Sequence, residues 1–423
     1  MLTAQVSLLL AALDLAAPPR GSHPRFPGPG RQERVCVVGA GPAGIHMALS
    51  LKRLGYQNVV VLEKEGRVGG KCLDVFYRGT HWPLGAGVVG SNTYNRNLIP
   101  LAAELGLANL TNIAGGTTRG GKRVDPLQIK SLGLFALLRY VALHRQLLGI
   151  YEGDLPPRPS PIVLYRLRGS FGDFLRREGL EVLRYLFHSA QTMWGYGFMD
   201  EVSALYSLFW ITPELILPGI FTELGTEWGG NLPNLGIEII WRTVVERERL
   251  DVRLNVQIER IHRIDWRNFV VHQFQDSVAS KVHCNFIIWT PEMSGLPNIL
   301  SQASRQELHL FQSLTTEVYT AHLINLRGET SEAIYTAYLD NMDRAVEHGV
   351  VLEIDIVGLK NLAKPNDLRE VEGLRSMWVG QMGRNETSVR SLRRLLTAHY
   401  RNQYPNASSE VLLTKSWTNY FPR

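Results

Sequence analysis

Cysteine is scarce: Cys36, Cys72 and Cys284 are the only three in 423 residues. They cannot make the framework of a disulfide-stapled domain, and none of their spacings is that of a metal site. Cys36 lies in an apolar strand pattern and Cys284 at the start of another, so both are expected as small core residues rather than reactive thiols. Long apolar runs are also missing. Ser203–Phe221 is broken by Pro213, Glu214 and Pro218, which argues against a spanning helix. Leu127–Ile150 is leucine-rich but carries Arg139, His144 and Arg145. It reads as a partly buried helix, with a helix resting on a lipid surface as the alternative. Charge is nowhere concentrated: 45 basic and 39 acidic side chains give a net charge of +6. With no basic block, nucleic acid is not an expected partner, whereas a mildly basic surface suits an anionic substrate or cofactor. There is no internal repeat, and no low-complexity tract after residue 30.

What is present is the composition of a globular protein, 45% apolar and 20% charged, in a chain long enough for two intergrown domains. Residues 1–30 stand apart. An apolar run, Val6–Leu13, is followed by Ala16, Ala17 and the Pro/Gly-rich Pro18–Gly30. Asp14 interrupts its tail and no Lys or Arg precedes it, so a secretory signal and a disordered leader both stay open. Sequons begin at Asn109, Asn385 and Asn406. Chance gives roughly two in such a length, so they decide nothing about export.

The order of elements is informative. A strand at Val35–Val38, a helix at Ala43–Leu54 and a strand at Val59–Glu63 make one βαβ unit. A glycine-rich loop follows at Gly66–Leu73, and a helix at Arg96–Leu107. From Leu127 to Phe221 the pattern is mainly helical, broken at Pro156–Pro161 and resuming at Phe171–Phe187. Another helix is expected at Leu235–Glu248, then strands at Val252–Ile264, Phe269–Phe274 and Phe286–Trp289, and a late helix at Ser388–Asn402. This predicts an α/β fold in which a dinucleotide-binding domain (31–110 and 235–295) is interleaved with a mixed α+β substrate domain (111–234, mainly helical, and 296–423).

The chemistry is concentrated in Gly39-Ala40-Gly41-Pro42-Ala43-Gly44, between an apolar strand and a helix, the context that a dinucleotide fingerprint requires. Gly39 allows the tight turn, Gly41 lets the backbone approach a pyrophosphate, and Gly44 lets the helix pack closely on the strand. Pro42 and Ala43 lie in the same fingerprint, and the helix N-terminus offers unpaired N–H groups and partial positive charge to phosphates. Glu63 closes the second strand about 20 residues on, where an acid can accept ribose hydroxyls.

The continuation Glu63-Lys64-Glu65-Gly66-Arg67-Val68-Gly69-Gly70-Lys71 resembles the E-x-x-x-R-x-G-G-[RK] signature of the amine-oxidase superfamily of flavoproteins. The resemblance implies FAD as cofactor. Arg67 would place a permanent charge beside the pyrophosphate, and Gly69 and Gly70 would let the main chain pass close under an extended cofactor. Lys64 and Lys71 fall within the same signature. His81-Trp82-Pro83-Leu84-Gly85-Ala86-Gly87 resembles the family's segment near the flavin ring, without its acidic residue, which makes Gly85 and Ala86 candidate contacts. Val252–Ile264 resembles the strand whose main chain meets adenine, with Ile258 at the contact.

Further motifs narrow the resemblance. Gly69-Gly70-Lys71-Cys72, then Tyr77, Gly79 and Leu84-Gly85-Ala86, are similar to the branch of bacterial and red-algal polyunsaturated fatty acid double-bond isomerases. So is Trp194-Gly195-Tyr196-Gly197-Phe198-Met199-Asp200 with Val202, Ala204 and Tyr206, and so is Ser416–Pro422. That branch implies hydride removal and return on one chain of an apolar or amphipathic small molecule. Tyr196 is then the candidate nearest the flavin, and Trp194–Phe221 is either pocket lining or plain helical core. In the superfamily a last segment, a glycine turn and helix, returns to the FAD domain. None is recognised before the chain ends at Arg423, so poor FAD binding or inactivity is expected. Amine oxidation with oxygen, and a non-catalytic flavin-binding role, stand as the alternatives.

Overall fold

The computed structural model describes residues 28–78, 80–87, 97–107, 110–113, 115–119, 122–123, 126–149, 159–191, 196–216, 230–233, 236–327, 335–338, 353–358, 374–381, 393–394, 396–398, 401 and 405–422. Residues 1–27, Asn109, Asn385, Trp194, Gly195 and most of 388–402 lie outside the described residues.

The runs Val35–Val38 and Val59–Leu62 are apolar at every position, the pattern of parallel strands covered on both faces. They pair in parallel with each other, and a four-stranded sheet results with Phe286–Trp289 beside the first and Asp251–Arg253 beside the second. Side-chain alternation then sorts the residues. Val35, Val37 and Val61 enter one core with Ile45, Leu49 and Val244 from helices Pro42–Arg53 and Glu238–Glu248. Cys36, Val60 and Leu62 enter another with Val256, Val271 and Val282 from the antiparallel strands Val256–Arg263, Phe269–Gln275 and Val278–Cys284. The result is three layers: helices, parallel sheet, antiparallel sheet.

Two expectations are corrected here. Cys36 and Cys284 are buried as expected, but they are joined in a disulfide across a sequence separation of 248. The antiparallel layer folds over the parallel sheet and brings their Cα atoms to 5.8 Å, a proximity that sequence spacing does not encode. The expected single strand Val252–Ile264 is two strands in two sheets. Asn255 takes a left-handed backbone, φ +57, and donates its N–H to Glu65 O at 3.2 Å, turning the chain out of the parallel layer.

The helical part packs around Tyr140, Phe171, Phe174 and Phe187, with Leu208 and Ile211. The long helix Pro126–Leu148 buries Leu137, Tyr140, Val141, His144 and Leu148, one stripe at helical spacing. The helix expected over Phe171–Phe187 is interrupted at Gly179, φ +64, into Phe171–Arg177, a 3₁₀ turn Glu181–Leu183 and Arg184–Gln191. Ser170 and Asp173 close the first of these with reciprocal capping bonds.

A third, larger sheet runs Ser408–Pro422, Leu314–Arg327, Leu374–Gln381, Glu353–Gly358, Tyr335–Tyr338, Gly115–Arg119, Lys122–Arg123. It takes strands from both sides of the parallel-sheet return, so the α/β architecture is interleaved, with a Rossmann-type unit and a mixed α+β part. Among the described residues, no helix is long and apolar enough to cross a membrane.

Candidate active site

The fingerprint turn is set by two glycines that face protein and one that does not. Gly39, φ +94, donates its N–H to Leu62 O at 2.8 Å, and a Cβ there would lie 2.6 Å from Thr290 Oγ1. A Cβ on Gly44 would lie 1.9 Å from Gly39 O, so the helix crosses directly over the turn. Gly41 is different: the nearest atom to an added Cβ is Gly70 Cα, 3.7 Å away. Gly41 is also the N-cap of helix Pro42–Arg53, with no side chain capping it. Pro42 lacks an N–H, and the next first-turn donors are left to whatever lies at the helix end. Ala43 is exposed there.

The second loop is tied to the first. Gly69 donates to Ala40 O at 2.9 Å and Cys72 donates to Gly69 O at 2.9 Å. Gly69 and Gly70 both have positive φ, and a Cβ on Gly70 would come within 2.8 Å of Gly41 Cα. The two glycine backbones thus face each other where any side chain would fill the space. Arg67 braces this loop: its guanidinium donates to Gly70 O at 2.6 Å and Cys72 O at 3.2 Å, and lies 3.5 Å from the Glu238 carboxylate. Lys71 follows Gly70 and keeps exposed surface, with protein around part of its side chain. That crowding lowers its ammonium to about 8, opposed by Glu292. Gly85 packs against this loop, where a Cβ would meet Lys71 O at 1.9 Å, and Ala86 donates to Lys71 O at 2.8 Å.

Glu63 is buried, and its carboxylate is fixed by the N–H groups of Ala40, at 2.6 Å, and Glu65, at 2.8 Å. Lys64 is exposed and its ammonium is 3.9 Å from the Glu65 carboxylate. Ile258 packs at the edge of the core between the two sheets. Val256, two residues earlier, donates to Glu63 O at 2.8 Å and is the strand residue tied to the acid.

Sequence reasoning missed the Asp74–Glu238 pair. Asp74 Oδ2 accepts the N–H of Glu238 at 2.8 Å, and Glu238 Oε2 accepts the N–H of Asp74 at 3.1 Å. Burial pushes the Asp74 carboxyl up to about 6. Glu238 opens a helix, a position that favours an acid, but nothing in the sequence joins it to Asp74.

Tyr196 lies in the helical part. Its ring stacks on Trp210 at 3.9 Å between centroids, and its N–H donates to Gln191 O at 2.9 Å. Other described residues of its motif are architectural. Asp200 accepts from Arg176 and Arg184, Met199 O accepts from Gly172 N at 2.7 Å, and Val202 O from Phe171 N at 2.9 Å. Phe198, Met199, Val202, Leu208 and Ile211 are buried, so the described part of Trp194–Phe221 is chiefly core.

An uncapped helix end, two facing glycines and a crowded lysine can take a diphosphate, and the fixed Glu63 carboxylate can take diol hydroxyls; the residues fit FAD. Comparison with known proteins agrees. The model of the flavin containing amine oxidoreductases matches residues 42–419. The polyenoic fatty acid isomerase of Ptilota filicina is 24% identical over 208 residues, 43% of this chain and 42% of that protein. The matched segments span between 10% and 42% of the curated relatives' lengths. Among solved structures, the CLA-producing fatty acid isomerase from P. acnes superposes with a TM-score of 0.74 at 16% identity, over 92% of this chain and 87% of that one. Cyclohexylamine oxidase from Brevibacterium oxydans gives 0.63 at 16% identity, over 92% and 85%.

Proposed function

The chain belongs to the flavin containing amine oxidoreductase family, whose cofactor is FAD, and from that premise we propose that it shifts a double bond within an unsaturated fatty acid. When bound, FAD supplies the hydride acceptor and donor for removing hydride from a carbon between two double bonds and returning it to another carbon. The chain's own residues bind and orient. The N–H groups at Ala43 and Gly44 and the backbones of Gly41 and Gly70 would receive the pyrophosphate, with the Lys71 ammonium as its counter-charge. Arg67 holds the carbonyls of the loop away from that charge. Glu63 would accept the ribose hydroxyls, and strand Val256–Arg263, with Ile258, would hold the adenine. Gly85 and Ala86 would hold the ring side of the cofactor, and Tyr196, stacked on Trp210, would offer it an aromatic face.

The observation that carries the reading is the fold match to the fatty acid isomerase, TM-score 0.74 against 0.63 for the amine oxidase. The Ptilota filicina relative supports it. The second reading, oxidation of an amine with oxygen as acceptor, is favoured by the family as a whole. One experiment separates them. The purified chain is loaded with FAD, its visible spectrum is recorded, and linoleate and a panel of amines are added in turn. A conjugated-diene band without peroxide supports the isomerase; peroxide with an amine and no diene supports the oxidase. A protein that takes up no FAD contradicts both.

A further inference from the structure

Large apolar side chains stand out of one region of the helical part. Phe135 is 84% exposed, Ile162 76% and Tyr165 65%, with Val182 exposed beside them. Scattered exposed apolar residues need no explanation, but a group on adjoining elements does. Phe135 and Arg139 are one turn apart on the outer side of helix Pro126–Leu148, opposite its buried stripe. A Cβ on Gly179 would lie 3.7 Å from Arg139 Nη1, and one on Gly133 would lie 3.5 Å from Leu183. The turn 178–183, with Val182, therefore lies along that helix. Its Glu178 carboxylate accepts from Arg166 at 3.2 Å, at the end of Pro161–Arg166, a helix with no buried residue. Phe135, Val182, Ile162 and Tyr165 thus sit on three neighbouring elements.

The charge around them has one sign left over. Arg166, Arg176 and Arg184 are each paired with a carboxylate. Arg139, Arg168 and Arg177 have no carboxylate within ion-pair distance among the described residues. Arg177 is held by main-chain carbonyls of Arg166 and Arg168 at 2.9 and 3.0 Å, and the Arg168 guanidinium lies 3.8 Å over the Tyr165 ring. Apolar tips beside arginines that carry no carboxylate partner match the boundary of an anionic bilayer, where rings and branched chains enter the acyl edge and guanidinium groups meet phosphate.

We propose that this face docks the protein on the surface of an anionic lipid membrane, without spanning it. The inference is independent of the fatty-acid reading, because docking is measured with no substrate present. The full chain is floated with phosphatidylcholine vesicles, with and without about a third phosphatidylserine. Wild type is expected on the anionic vesicles and released by high salt. The triple variant F135S/I162S/Y165S and the charge variant R139E/R168E/R177E are each expected to bind at least about 10-fold more weakly. W266S, which removes an exposed apolar residue elsewhere, is expected to bind as wild type does. Circular dichroism confirms that each variant is folded; single substitutions F135S and R168E serve if a triple variant is not. Absence of wild-type binding, equal binding to neutral vesicles, or unchanged binding by the folded variants overturns the proposal. So does a wild-type dimer that F135S/I162S/Y165S converts to monomer, which would make the face an interface between copies.

Discussion

Asp74 and Glu238 stand 164 residues apart in sequence, and each carboxylate accepts the other's backbone N–H. The pair fixes the start of helix Glu238–Glu248 to the strand that leaves the second glycine loop, and Arg67 reaches Glu238 from inside that loop. Replacing Asp74 with Ala leaves a part-buried helix-start N–H without its acceptor, which costs roughly 1 kcal/mol or somewhat more. The thermal midpoint of D74A is expected to fall accordingly, and FAD retention with it, because the loop loses its anchor. D74N keeps an acceptor oxygen and is expected to lie between wild type and D74A. If D74A matches wild type in both stability and FAD content, the pair is not the anchor described.

The two kinds of fingerprint glycine separate folding from binding. Gly44 meets Gly39 O at 1.9 Å if a Cβ is added, with backbone on both sides of the clash. G44A is therefore expected to lower stability by several kcal/mol or prevent soluble folding. Gly41 has 3.7 Å of clearance to Gly70 Cα, so G41A is tolerated by the protein itself. It is expected to keep its thermal midpoint without cofactor and to bind FAD at least about 10-fold more weakly, since the methyl occupies the space assigned to the pyrophosphate. Titration of the flavin-free proteins checks both, and equal FAD affinity of G41A and wild type would falsify the placement.

The first layer of this fold was legible because its rules are local. Valine at successive positions means a strand buried on both faces, and Gly39, Gly41 and Gly44 mark the turn and the helix start. Where the chain turns at a single residue, pattern fails: Asn255 is an unremarkable polar residue in an apolar run, yet its left-handed backbone divides one expected strand between two sheets. Arg67 shows the same limit at the site. Its place in the signature was readable, but its bonds to Gly70 O and Cys72 O depend on how the loop closes. Contacts such as Asp74–Glu238 are products of tertiary closure and leave only a weak trace, an acid at a helix start.

The Cys36–Cys284 bond yields a thiol count. Cys72 is a free, buried thiol whose burial pushes it up to about 12. Denatured, unreduced protein is expected to take up one alkyl group per chain, and reduced protein three. Because the bond closes a long loop between two layers of the flavin-binding part, its removal in C36A/C284A is expected to cost roughly 2–4 kcal/mol. Three alkylated cysteines without reductant, in protein made under oxidising conditions, would show the pair to be an ordinary core contact.

Stability should weaken on mild acidification, and two buried histidines set the sign. Burial lowers His144 to about 4, beside Arg145 and with Nε2 on Leu208 O at 2.8 Å. It lowers His322 to about 3, between Thr320 and Thr414 and near Arg393. A folded pKa below the unfolded value near 6.5 means that the unfolded chain binds more protons in the window between them. Stability from each histidine is complete above about pH 7 and is lost as pH falls toward the folded value, on the order of 2 kcal/mol each by pH 5. Asp74 acts oppositely. Raised to about 6, it favours the folded state below its unfolded pKa and loses that contribution as pH rises through 6. One carboxyl offsets only part of two histidines, so the thermal midpoint is expected to drop between pH 7 and pH 5. H144Q leaves a neutral donor for Leu208 O and removes one titration, so its profile should be flatter by about one proton in that range. A wild-type midpoint constant from pH 7 to 5 would mean that at least one of the histidines is protonated without cost, its own surroundings being open to water.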